Sequence, residues 1–158
     1  MSVVSSITRS GAAAQIDPRG PRLAATLTTI VLAVTLVTGS GWLLAAQGVL
    51  FGIGAVRGVQ HTPYSVLFRH VIRPRLAPPS ELEDARPPQF AQAVGLLFAL
   101  VGVVAAAVGA TPVFLAATGL ALGAAFLNAA FGFCLGCEIY LIARRYLPTA
   151  SATEENPA

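Results

Sequence analysis

Four stretches of the chain carry no charge: about Leu23 to Thr38, Trp42 to Val56, Phe90 to Ala110 and Pro112 to Phe133. At a helical rise of roughly 1.5 Å per residue, the last two cross a hydrocarbon core of about 30 Å, and the first two just reach with their flanks. Helix is the economical state for such runs, because backbone N–H and C=O groups in lipid must be satisfied internally and strands would need a closed barrel. Ten of the eleven prolines lie outside the runs, and Pro112 opens the fourth, where a missing N–H costs little. The uncharged links Gly39-Ser40-Gly41 and Ala110-Thr111 pair the runs as two tight hairpins. The pattern predicts an all-α polytopic membrane protein with a four-helix transmembrane domain over residues 23–147. Tails at 1–22 and 148–158 flank it, with residues 1–15 and 149–158 expected to be disordered.

The central loop, 57–89, divides in two. Tyr64, Leu67, Phe68, Val71 and Ile72 recur at helical spacing, with Ser65, Arg69, His70 and Arg73 on the other face. This predicts an interfacial amphipathic helix whose Arg69 and Arg73, with Arg75 just beyond, meet anionic lipid headgroups. From Pro78 to Pro88 an acidic patch is bracketed by proline pairs, which reads as an extended linker into the third helix.

Composition agrees: 55% of residues are hydrophobic, 11% are charged, and the mean hydropathy is +0.72, leaving too little polar surface for a soluble fold of 158 residues. The net charge of +3 matters through its placement. Every basic residue is an arginine. Arg9, Arg19 and Arg22 precede the first run, Arg57, Arg69, Arg73, Arg75 and Arg86 follow the second, and Arg144 and Arg145 follow the fourth. The positive-inside rule then puts both termini and the central loop in the cytoplasm. No signal-peptide layout precedes the first run, which is expected to be a retained span. The arginine-only basic set and the Ala, Gly and Val bias suggest a GC-rich bacterial genome, and the expected location is the bacterial inner (plasma) membrane.

The four runs hold no Asp, Glu, Lys, Arg or His, which argues against proton pumps, ion-coupled carriers and voltage sensors. Gln47, Asn128 and scattered Ser and Thr are the polar groups there, and Asn128 is expected to make an interhelical hydrogen bond. Gly48/Gly52, Gly54/Gly58, Gly119/Gly123 and Gly132/Gly136 are each four apart, the spacing of close helix contact within the chain or in a homo-oligomer. No internal repeat stands out, although two hairpins invite the idea of a duplicated unit.

Candidate chemistry is concentrated at Cys134 and Cys137, the only two cysteines. Thiols three apart can close a disulfide, and Gly132 and Gly136 permit a break in the helix there. Twenty residues from Pro112 bring the chain to the cytoplasmic boundary near this pair. A helix restarting at Cys134 would lower its thiol pKa, whereas Glu138 disfavours the Cys137 thiolate. Cys134 is then the attacking thiol and Cys137 the resolving one, with Glu138 and Tyr140 as supporting residues. Packing as two small apolar residues is the plain alternative. A zinc site from Cys134, Cys137, His61 and His70, or four cysteines pooled in a homodimer, is the metal alternative. No cofactor and no nucleic-acid partner is expected.

The runs Asp17-Pro18-Arg19-Gly20-Pro21-Arg22, Pro74-Arg75-Leu76, Arg86-Pro87-Pro88-Gln89-Phe90-Ala91-Gln92-Ala93-Val94-Gly95 and Cys134-Leu135-Gly136-Cys137-Glu138-Ile139-Tyr140 resemble, in order, the bacterial integral-membrane family called domain of unknown function 4395. The resemblance covers nearly the whole chain and implies a small multi-helix membrane protein, without implying an activity. Cys134 and Cys137 match the family's most specific motif. Two functions follow as expectations. One is a membrane thiol–disulfide or sulfur-relay protein exchanging with a soluble thioredoxin-like or sulfurtransferase partner. The other is a non-enzymatic scaffold, with passage of a small uncharged solute as a third course.

Overall fold

The computed structural model describes residues 14–147; residues 1–13 and the whole expected tail 148–158, with the disorder expected of them, lie outside the described residues. The elements run β1 (Gln15–Ile16), α1 (Arg19–Thr38), α2 (Gly41–Arg57), α3 (Pro63–Leu67), β2 (Glu83–Asp84), α4 (Arg86–Ala107), α5 (Thr111–Phe131) and α6 (Leu135–Tyr146). The all-α expectation holds. Helices α1, α4 and α5 are each long and apolar enough to cross a membrane, while α2 is apolar but shorter at 17 residues.

The helix ends follow local chemistry. Ser40 caps α2 by accepting the Leu43 N–H at 3.3 Å. Helix α4 starts at Arg86, earlier than the apolar run, because Pro87 and Pro88 sit in its first turn, where no intrahelical N–H is needed. It stops at Ala107, short of Ala110, and Gly109 at φ 74° turns the chain. In α1 the hydroxyls of Thr26, Thr29, Thr35 and Thr38 each donate to the carbonyl four residues back, at 2.7 to 2.9 Å, so these threonines leave no unsatisfied hydroxyl proton.

The main packing crosses between the hairpins: α2 lies on α4 and α1 on α5, while α1 and α2 touch lightly. Along the α2–α4 seam small residues face larger ones in antiparallel order. A Cβ on Gly102 would stand 2.5 Å from Leu44, one on Gly95 3.0 Å from Phe51, one on Gly48 3.3 Å from Ala99 and one on Gly54 2.8 Å from Gln92. Leu32, Leu44, Phe51, Ala99, Ala105, Phe114 and Ala121 form the core. Gln47, 1% exposed, donates to Thr28 Oγ1 at 3.3 Å and accepts from the Tyr64 hydroxyl at 3.0 Å, tying α1, α2 and α3 together. Burial pushes the Tyr64 phenol above its usual pKa, so it remains a donor. At the end of α5, Arg22 of α1 donates to the carbonyls of Ala129 and Ala130 at 3.2 and 3.3 Å.

The expected amphipathic helix over Tyr64 to Arg73 is not one regular helix. After α3 the backbone widens to π-helical turns at Phe68–Ile72, then tightens to 3-10 turns at Arg73–Arg75. Pro74 has no N–H to give the carbonyl of His70, and its ring opposes a continued α-helix. Of the expected apolar face, Phe68 is buried against Gly20 of α1, Tyr64 and Ile72 are half-buried, and Leu67 and Val71 are exposed.

The two halves of the chain share one plan. Each opens with a two-residue strand and an Asp-x-Arg corner, continues through two apolar helices, and ends in a third that packs back on the first. Strands β1 and β2 pair antiparallel, Gln15 with Asp84 and Ile16 with Glu83. Asp17 Oδ1 accepts the Arg19 N–H at 3.0 Å, and Asp84 Oδ1 accepts the Arg86 N–H at 2.9 Å. Helix α3 packs on α1, and α6 packs on α4. Pairing α1 with α5 and α2 with α4 is what a twofold relation between the halves requires.

Candidate functional site

Helix α5 ends at Gly132, whose φ of 67° lets the chain leave the helix while its N–H still reaches the Asn128 carbonyl. Three residues later α6 begins. Cys134 is its N-cap, with extended backbone, and its Sγ accepts the Cys137 N–H at 3.3 Å. The last stretch is therefore a separate helix, the restart on which a stabilised Cys134 thiolate depends. Cys134 and Cys137 are disulfide-bonded, with Cα atoms 5.2 Å apart, and both are half-buried.

Two contacts fix α6 to the start of α4. A Cβ on Gly136 would stand 2.7 Å from Ala91 Cα, so the motif's glycine is there to let two backbones meet. The Tyr140 ring lies 5.7 Å from that of Phe90, and the Arg144 guanidinium is 5.9 Å from the Tyr140 centroid. Tyr140 thus anchors the helix that carries the sulfurs. Glu138 is exposed in the first turn of α6, where a carboxylate favours the helix dipole. Leu135, Ile139 and Ile142 form an exposed apolar face on α6, ending near Arg144 and Arg145.

The first half repeats this turn in oxygen. Thr62 is the N-cap of α3, with extended backbone, and its Oγ1 accepts the Ser65 N–H at 3.3 Å; the two hydroxyls are 3.1 Å apart. Thr62-Pro63-Tyr64-Ser65 thus stands in the first half where Cys134-Leu135-Gly136-Cys137 stands in the second. Sequence reasoning missed this pair; the shared spacing, each time just after an apolar run, was the available signal.

Cys134 lines a cavity of about 290 Å³ among α1, α2, α4, α5 and α6. Asn128 lines it too and makes no side-chain hydrogen bond among the described residues, contrary to the interhelical bond expected of it. Cys134, Cys137, His61 and His70 do not come together within one chain, where no three His, Cys, Asp or Glu side chains gather among the described residues. His61 instead has Nδ1 2.7 Å from the Arg57 carbonyl, and His70 is exposed on the π-helical segment. Arg69, Arg73 and Arg75 are exposed beside it, on the side of the molecule where α1 and α4 begin. Of the glycine pairs, Gly48, Gly52, Gly54 and Gly136 meet neighbours, Gly58 and Gly132 end helices, and among the described residues no atom of another element lies within 4 Å of a Cβ placed on Gly119 or Gly123.

No curated protein and no solved structure matches the chain. The model of the domain of unknown function 4395 family matches residues 16–145, from β1 to the last turn of α6, and the chain belongs to that family.

Proposed function

We propose that this is a membrane thiol–disulfide protein whose Cys134–Cys137 pair cycles between dithiol and disulfide in exchange with a soluble thioredoxin-like partner. The observation that carries the reading is the oxygen counterpart. Thr62 and Ser65 make the same N-cap with hydroxyls, so closing a helix at this place in the plan does not call for sulfur. A disulfide across so short a loop constrains the unfolded chain by only about 2 kcal/mol, weak justification as a structural brace. What two adjacent thiols add over two hydroxyls is exchange chemistry. Cys134, at the N-cap with the Cys137 N–H directed at its Sγ, is the nucleophile toward a partner disulfide, and Cys137 is the thiol that resolves the adduct. The same pair would pass a sulfane sulfur from a sulfurtransferase.

In this reading α2 joins the three longer helices as a fourth span. The arginines set both ends of the bundle's chain, and the cysteine turn, at the cytoplasmic face of a bacterial inner membrane. Arg69, Arg73 and Arg75 then rest among lipid phosphates.

The test is the thiol state in native membranes, read by acid quenching and mass-tag alkylation before and after an oxidant pulse. The expected result is a reversible dithiol-to-disulfide change that disappears in Cys134→Ser and in Cys137→Ser, with membrane insertion kept. Thiols that stay reduced and inert throughout overturn the proposal. A scaffold role is the second reading, favoured by the open space at Gly119 and Gly123, where a homo-oligomer or another membrane protein would approach closely.

A further inference from the structure

We infer that the cavity beside Cys134 receives a lipid-soluble quinone, which takes the electron pair of the Cys134–Cys137 dithiol. The inference rests on the thiol–disulfide reading and names its electron acceptor. Three features of the cavity converge on that chemistry.

The first is its apolar body. Phe51, Phe98 and Ala121 contribute to walls that are mostly carbon, and about 290 Å³ is at the small end of sites that hold a ring-sized ligand. Leu120 and Ile139 line it and are 61% and 50% exposed, so it opens on the outer face of the bundle. A ring can sit inside while an isoprenoid tail stays in lipid.

The second is a set of uncommitted polar groups on that carbon wall. The side-chain amides of Gln92 and Asn128 make no hydrogen bond among the described residues. Thr28 accepts from Gln47 and, unlike Thr26, Thr29, Thr35 and Thr38, does not donate to the carbonyl four residues back. Donors on an apolar wall match an occupant with carbonyl acceptors. An acyl chain would leave them unpaired, at a desolvation cost that hydrocarbon cannot repay.

The third is the sulfur. Cys134 is in the wall, whereas Cys137 is not. Of the small apolar molecules a bilayer dissolves, quinones combine ring carbonyls with the capacity to accept two electrons. The step balances without another reagent. The Cys134 thiolate adds to a ring carbon, forming a C–S bond. The Cys137 thiolate then attacks Cys134 Sγ, the S–S bond forms, the C–S bond breaks, and its electron pair leaves with the ring. The two thiol protons end on the two quinol oxygens, so dithiol plus quinone gives disulfide plus quinol. Reduction of the disulfide by the soluble partner resets the pair, and electrons pass from cytoplasmic thiols to the membrane quinone pool.

The experiment uses the full chain in lipid nanodiscs, reduced and freed of reductant, then mixed with decylubiquinone. Quinol is followed by absorbance and the disulfide by mass-tag alkylation. The expected result is one quinol per disulfide formed, with a rate that saturates in quinone. Ala124→Phe, which fills the cavity from α5, should abolish quinone-dependent oxidation while oxidised glutathione still closes the disulfide. Asn128→Leu should weaken the half-saturating concentration roughly fivefold, the loss of one net hydrogen bond. Unsaturable oxidation that is unchanged in both variants overturns the inference and leaves the exchange reading standing. A wild-type pair that neither quinone nor oxidised glutathione can close overturns both.

Discussion

The turn before α3 and the turn before α6 are built alike and furnished differently. Both follow an apolar helix, both place an N-cap in extended backbone, and in both a side-chain atom accepts the N–H three residues on at 3.3 Å. In one the acceptor is the hydroxyl of Thr62 and in the other it is the sulfur of Cys134. The first turn leads into a short, irregular segment held by buried Phe68 and by the Tyr64 bond to Gln47. The second leads into a regular twelve-residue helix beside a cavity. The common part is structural and the difference is chemical, so under the proposed thiol–disulfide function two similar halves would confine reactivity to one of them.

That comparison is open to direct attack. The largest effect is expected from the double change Cys134→Thr with Cys137→Ser, which gives the second turn the side chains of the first. It should abolish thiol–disulfide exchange while thermal unfolding by circular dichroism loses no more than about 2 kcal/mol. A wholesale loss of helix would show instead that the sulfurs brace the fold. Next comes Gly102→Val, placed in the seam that both halves share. With Leu44 2.5 Å from the new Cβ, overpacking should cost about 1–3 kcal/mol, read by denaturant titration in detergent. Thr62→Ala removes the oxygen cap and should cost about 1 kcal/mol with exchange at Cys134 unaffected; an altered exchange rate would mean the halves are coupled. The smallest effect belongs to Gly119→Leu, which meets open space and should move stability by less than about 0.5 kcal/mol. Loss of a detergent-stable complex in that variant, or in Gly123→Leu, would favour the scaffold reading.

Most of the framework is legible in the sequence because its causes are local. Charge-free runs of helical length gave the main helices and Gly39-Ser40-Gly41 gave a turn, while Gly132 and Gly136 only permitted the helix break that the structure shows at Gly132–Cys134. The departures arise from contacts between distant segments or from a local signal outweighed by a stronger one. Gly109 ended α4 before its apolar run was spent. Pro74 loosened a segment whose periodicity alone reads as a regular helix. Gly119/Gly123 has the same spacing as Gly48/Gly52, yet only the latter pair has neighbours from α4, and spacing holds no record of what stands opposite. The strands β1 and β2 are two residues each and exist only because the entries to α1 and α4 lie side by side. The site was half legible. Its sulfurs were evident, but the cavity draws Thr28, Gln92, Asn128 and Cys134 from four helices, and no sequence window contains them together.

The Arg22 contact joins the first part of the chain to one of the last to be made. The guanidinium at the mouth of the first helix is satisfied by carbonyls more than a hundred positions later, at the end of α5. These acceptors exist only once the chain has been made through residue 130, so the bond between α1 and α5 is a late event in the chain's synthesis.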